Sequence, residues 1–131
     1  MVKIASPVIE QLHALAGSPQ QQAAYAVELL AGKHGKDIMQ AALAVLADNP
    51  DPAAREPILR LYAYYAANKG VRDQGGYFRR ALLDALRPLA RRADAELLAQ
   101  AANTYEFWPP DFAEDAVLLR AAGLVALAEV D

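Results

Sequence analysis

Helix-opening residues recur along this chain in front of stretches built almost entirely of Ala and Leu, and that punctuation points to a stack of short helices. Ser6-Pro7, Ser18-Pro19 and Asp51-Pro52 each set an oxygen acceptor before a proline. The Ser or Asp side chain can take an orphan backbone N–H, and proline at the first helical position gives up a donor that has no partner there. Ser18…Gln21 and Asp111…Glu114 have the spacing of a capping box or close to it. Gly17, Gly32 and Gly70 follow apolar segments, where a left-handed C-cap suits glycine. This punctuation predicts helices at about 7–16, 19–31, 36–47, 52–68, 76–92, 94–107 and 112–130. Pro57 and Pro88 fall inside two of them and should kink or restart each.

Composition agrees. The 131 residues hold 30 Ala and 18 Leu against eight Val, four Ile and one Thr, a balance that favours helix over sheet in a single all-α domain spanning 1–131. Ile38, Ala42 and Val45 lie on one stripe and Met39, Leu43 and Leu46 on the next, giving a broad buried face. Ile58, Leu61, Tyr62 and Tyr65 repeat that spacing, and Tyr64 falls off it and is expected to be exposed. With no cysteine, disulfides, thiolate zinc sites and thiol catalysis are excluded. The opening residues lack the apolar core of a signal peptide. The longest apolar run, 116–128, is interrupted only by Arg120 and is shorter than the roughly 18 residues of a membrane span. A cytoplasmic protein with no membrane partner is the expectation.

Charge is distributed unevenly. Residues 69–92 carry seven basic against two acidic side chains, whereas residues 93–131 carry one against eight. Arg80, Arg87 and Arg91 recur at spacings of seven and four, with Arg79 and Arg92 beside them. Such a stripe either meets an acidic partner or phosphates, or is satisfied internally by Asp84 and the acidic C-terminal segment. Nine of the ten aromatics lie between Tyr62 and Phe112, and Tyr and Trp beside Arg is the composition of binding hot spots. Trp108-Pro109-Pro110 is a stiff turn whose Trp either plugs a gap between helices or lines a peptide groove.

Asp51-Pro52-Ala53-Ala54-Arg55, and the run from Leu118 to Leu127, resemble the helices of HEAT-type repeats. Asp51 and Asp94, each read as opening a helix, stand 43 residues apart, inside the period of such helical pairs. The resemblance implies a HEAT- or armadillo-like, right-handed α-solenoid of about three helical hairpins plus an N-terminal helix, with pairing of the Arg to the turn Asp. A compact helical bundle is the alternative. A solenoid needs a polar outer surface on its terminal repeat, yet residues 116–128 carry a single charge. Something should therefore cover this helix: a neighbouring segment, a second copy, or further repeats of a longer chain.

Catalytic chemistry finds little here. Both Ser residues are read as caps, His13 and His34 stand in different segments, and acid pairs such as Glu114-Asp115 read as helix-terminal charges. Gly32-Lys33-His34-Gly35-Lys36-Asp37 is a basic turn into a helix but lacks the glycine spacing and the Ser/Thr of a P-loop. No catalytic residue, cofactor or metal is expected. The reading is a non-catalytic interaction scaffold that binds a protein partner, acidic in character, through Tyr64, Tyr77, Arg79, Arg80, Arg87 and Trp108. Self-association through 116–128 is a further option. A nucleic-acid-binding module using the same arginines is the alternative. The lyases and glycosylases found among helical-repeat proteins share no motif with this chain, so an enzymatic role rests on fold analogy alone.

Overall fold

Proline and aspartate set most of the helix starts. A computed structural model describes residues 6–109, 114 and 116–130, and the regular elements among them are helices: α1 (Pro7–Ala14), α2 (Pro19–Ala31), α3 (Lys36–Asp48), α4 (Arg55–Gly70), α5 (Tyr77–Leu86), α6 (Ala95–Ala102) and α7 (Val117–Val130). Short 3-10 turns precede α4, α5 and α6 and follow α5. The Asp51 carboxylate accepts from the Ala53 N–H at 2.9 Å and so caps the turn that leads into α4. Pro57 lies in the first turn of α4, where an N–H would have no intrahelical acceptor, and the helix runs on unbroken there. Pro88 has the expected effect: α5 stops at Leu86 and continues only as a 3-10 turn.

Other local expectations are corrected. Ser6 and Ser18 do precede α1 and α2, but neither hydroxyl makes a cap bond, and the 18–21 capping box does not form. Their carbonyls instead start the helical ladder, accepting from Glu10 and Gln22. Gly32 is extended rather than left-handed, and only Gly70 of the three predicted stops has positive φ. Asp94 stands directly before α6 as expected, but as the last residue of a 3-10 turn whose side chain accepts from the Arg91 N–H at 2.8 Å. Arg55 pairs not with Asp51 but with Asp94, at 2.5 Å across 39 residues. Asp111 lies outside the described residues, and α7 begins at Val117 rather than at 112.

Consecutive helices pair: α2 on α3, α4 on α5, and α6 on α7, with α1 against α2 and α3. A second set of contacts joins α3 to α5 and α5 to α7. These three helices run in the same direction. At one end the Lys36 ammonium is 6.0 Å from the centre of the Phe78 ring and Gly76 touches Leu119. At the other, Ala47, Arg87 and Glu129 line one cavity. The core between the paired helices is made by Leu43, Leu46, Ile58, Phe78, Leu82, Leu86, Leu98 and Leu119, all essentially inaccessible. Burial of each such side chain contributes about 1.5–3 kcal/mol. Gln22 is buried among them and donates to the Leu12 carbonyl at 3.0 Å, tying α2 to α1. Among the described residues no helix is long and apolar enough to cross a membrane.

Candidate functional site

Arg79 and Arg80 are neighbours in sequence and lie on opposite sides of α5. Arg79 falls at i, i+3, i+4 and i+7 with Leu82, Leu83 and Leu86, which is the core face, and its residual exposure is 2%. The expectation of an exposed, partner-steering Arg79 is therefore corrected: it occupies the interior. That spacing was the signal in the sequence that identifies its side. Its guanidinium lies between two buried carboxylates. Nε donates to Asp73 Oδ2 at 3.0 Å, and Nη2 donates to Glu106 Oε2 at 2.6 Å and to the Asp73 carbonyl at 2.7 Å.

Both carboxylates are further satisfied by main chain and indole. Asp73 accepts from the Phe78 and Arg79 amides at the start of α5, where the helix dipole favours an anion. Glu106 accepts from the Gly75 amide and from Trp108 Nε1, each at 3.0 Å. To wrap around this cluster the chain leaves α4 through Asn68 and Lys69, both left-handed, at φ 54° and 60°. Gly70 follows at φ 77°, and a Cβ on it would stand 2.5 Å from Glu106 Oε2. Trp108, read as either gap-filler or groove residue, is partly buried and hydrogen-bonded to this network.

The other predicted residues separate into two surfaces. Tyr64 is exposed as expected, edge-on to Tyr65 at 5.0 Å, with the Arg72 guanidinium 4.4 Å from its ring centre. Tyr77, Arg80, Asp84 and Arg87 form a separate exposed row along α5 and the turn after it. Leu118, Ala121, Val125 and Ala128 make the matching row on α7 at the same spacing, and a groove runs between the two helices. The charges on its banks are neutralised locally. Arg80 faces Asp84 at 3.7 Å, and Arg87 grips the Glu129 carboxylate with two donors, Nε at 2.8 Å. The basic stripe is thus satisfied in large part by Asp84 and the acidic C-terminal segment, one of the two readings open from sequence.

Glu114 fixes the start of α7. It accepts from the Glu106 amide at 2.9 Å, from the Ala116 amide at 2.8 Å and from Arg120 Nη1 at 2.6 Å. Burial alone would raise its pKa, but these donors together hold it down to about 2. A carboxylate depressed in the folded state stabilises the fold above its ordinary value of 4.5, and that contribution is lost as pH falls towards 2. Glu114→Gln should therefore destabilise the protein at pH 7 and flatten stability against pH between about 4.5 and 2 in denaturant titrations. An unchanged acid limb in the variant would refute the assignment.

Among the described residues no group of three or more His, Cys, Asp or Glu is placed to hold a metal ion. Comparison of the chain with protein-family models, with curated proteins and with solved structures returns no match.

Proposed function

We propose that the protein is a non-catalytic interaction module, a HEAT-like α-solenoid whose α5/α7 groove receives an amphipathic helix of a protein partner. The observation that carries this reading is the incomplete burial of α7. Leu119, Gly123 and Ala126 are buried against α5 and α6, yet Val117, Leu118, Leu124 and Val125 are 44–58% exposed on the same helix. Contiguous exposed apolar residues beside a polar bank mark interaction sites. Rows at helical spacing on both walls match an incoming helix that presents anchors three and four residues apart. The solenoid reading is supported by the pairing of consecutive helices and by the common direction of α3, α5 and α7. A polar rim of Tyr77, Arg80, Asp84 and Arg87 around an apolar floor is the anatomy of a non-obligate interface.

Leu118→Glu combined with Val125→Glu should abolish partner capture while leaving helicity and melting temperature close to wild type, because both side chains are about half exposed. Capture from source-cell lysate, with and without nuclease, followed by mass spectrometry, checks it. Recovery of the same proteins by the variant would sink the groove assignment. Nuclease-sensitive capture that falls steeply with added salt would instead favour the nucleic-acid alternative through the same arginines. Conversion of a wild-type dimer to monomer by the double substitution would make the occupant a second copy of the chain.

A further inference from the structure

On another part of the molecule, a cleft of about 330 Å³ opens between α4 and α6, and the buried Arg79 cluster forms part of its lining. Tyr62 also lines it and is 2% exposed, yet its hydroxyl has no hydrogen-bond partner among the described residues. Of the Arg79 nitrogens, Nη1 likewise has none, since Nε and Nη2 are taken by Asp73 and Glu106. Neither atom is sealed from solvent: the one orphaned buried side-chain nitrogen among the described residues is Arg55 Nε, elsewhere in the fold. Both atoms therefore open into the cleft, and their hydrogen-bond partner must come from water or from a ligand that enters it. The volume far exceeds the roughly 10–15 Å³ that one water needs.

We infer that this cleft binds a small oxyanion, a carboxylate or phosphate group held by the Tyr62 hydroxyl, Arg79 Nη1 and the Lys69 ammonium. The charges around it do not choose a ligand. Lys69 and Arg79 balance Asp73 and Glu106, and Glu106, the carboxylate lining the cleft, already accepts from Arg79, Gly75 and Trp108. What selects is the open hydrogen-bond valence. Asn103 and Thr104, on the opposite wall, each spend a donor on the Ala99 and Gln100 carbonyls, whereas the Tyr62 hydroxyl, Arg79 Nη1 and the Lys69 ammonium spend none on the described residues. Burial pushes the Tyr62 pKa up to about 12, against a lowering by Arg79, so the phenol keeps its proton and donates throughout the physiological range. Lys69 reaches the rim from a left-handed backbone position that a β-carbon disfavours, the kind of local strain that collects at ligand sites.

Two variants separate binding from folding. Tyr62→Phe removes a hydroxyl that no described residue uses, and Lys69→Gly relieves a positive φ, so both should melt at or above the wild-type temperature. Titration of the full chain with inorganic phosphate and, separately, with propionate is followed by amide NMR. Saturable shifts are expected at Gly70, Asn103 and Glu106 and at the Trp108 indole, with half-saturation on the order of 1 mM and weakening of about tenfold or more in each variant. Response to phosphate alone identifies a phosphoryl ligand, and response to both identifies a general oxyanion site. No saturable shift with either probe, or shifts that neither variant weakens, would overturn the inference and leave the cleft to water.

Discussion

Arg79→Met is expected to cost about 3–5 kcal/mol, because it leaves two buried carboxylates facing each other with no cation between them. Asp73 and Glu106 are 4% and 6% exposed, and the side chain that bridges them is 2% exposed. Removing one partner of a buried ion network leaves desolvated charge behind, which is why the loss exceeds the net worth of the bonds themselves. For a domain of this size the melting temperature should fall by about 10–20 °C. Arg80→Met is the internal control, one residue along the same helix. Its partner Asp84 is 3.7 Å away and both side chains are about half exposed, so the change should stay within about 1 kcal/mol. Adding Glu106→Gln to Arg79→Met should recover part of the loss, since it removes one of the stranded charges while an amide oxygen can still accept from Gly75 and Trp108. Equal urea midpoints for Arg79→Met and Arg80→Met would show that the network does not hold the fold.

The same pair of arginines shows how much was legible in the sequence and why. Local signals acted over one helical turn and were readable: Asp51 before Pro52, Pro88 as a stop, Tyr64 off the face that buries Tyr62 and Tyr65, and Arg79 in register with Leu82, Leu83 and Leu86. The buried cluster was not readable, because its acids come from 6 and 27 residues away and nothing local distinguishes Glu106 from a solvated glutamate. α6 was overextended for a related reason. Composition allows helix to continue past Ala102, but the following segment is claimed by long-range bonds, Glu106 to Gly75 and to Arg79. Arg55 was expected to pair with Asp51 of its own turn, but its partner in space is Asp94, a contact set by packing of one helical pair on another.

Gly123→Ala is expected to destabilise the protein, although in an exposed helix interior the same change stabilises by about 1 kcal/mol. The reversal comes from the closeness of α6. A β-carbon at Gly123 would stand 2.7 Å from the Ala102 nitrogen and 3.0 Å from both the Ala101 β-carbon and the Leu98 carbonyl oxygen. Two of these are main-chain atoms, which cannot rotate away as a side chain would, so α7 must move outward as a unit. Leu119 and Ala126, one helical turn on either side and now fully buried, would move with it. Overpacking of this kind costs about 1–3 kcal/mol. Gly17→Ala supplies the contrast, since nothing lies within 4 Å of a β-carbon there and the change should be neutral or slightly stabilising through the unfolded chain. Urea unfolding of the two variants decides the matter, and a Gly123→Ala protein as stable as Gly17→Ala would mean that α6 and α7 are not packed this closely. Because α7 also forms one wall of the α5/α7 groove, on the function proposed above the displacement should weaken partner capture even in the fraction that remains folded.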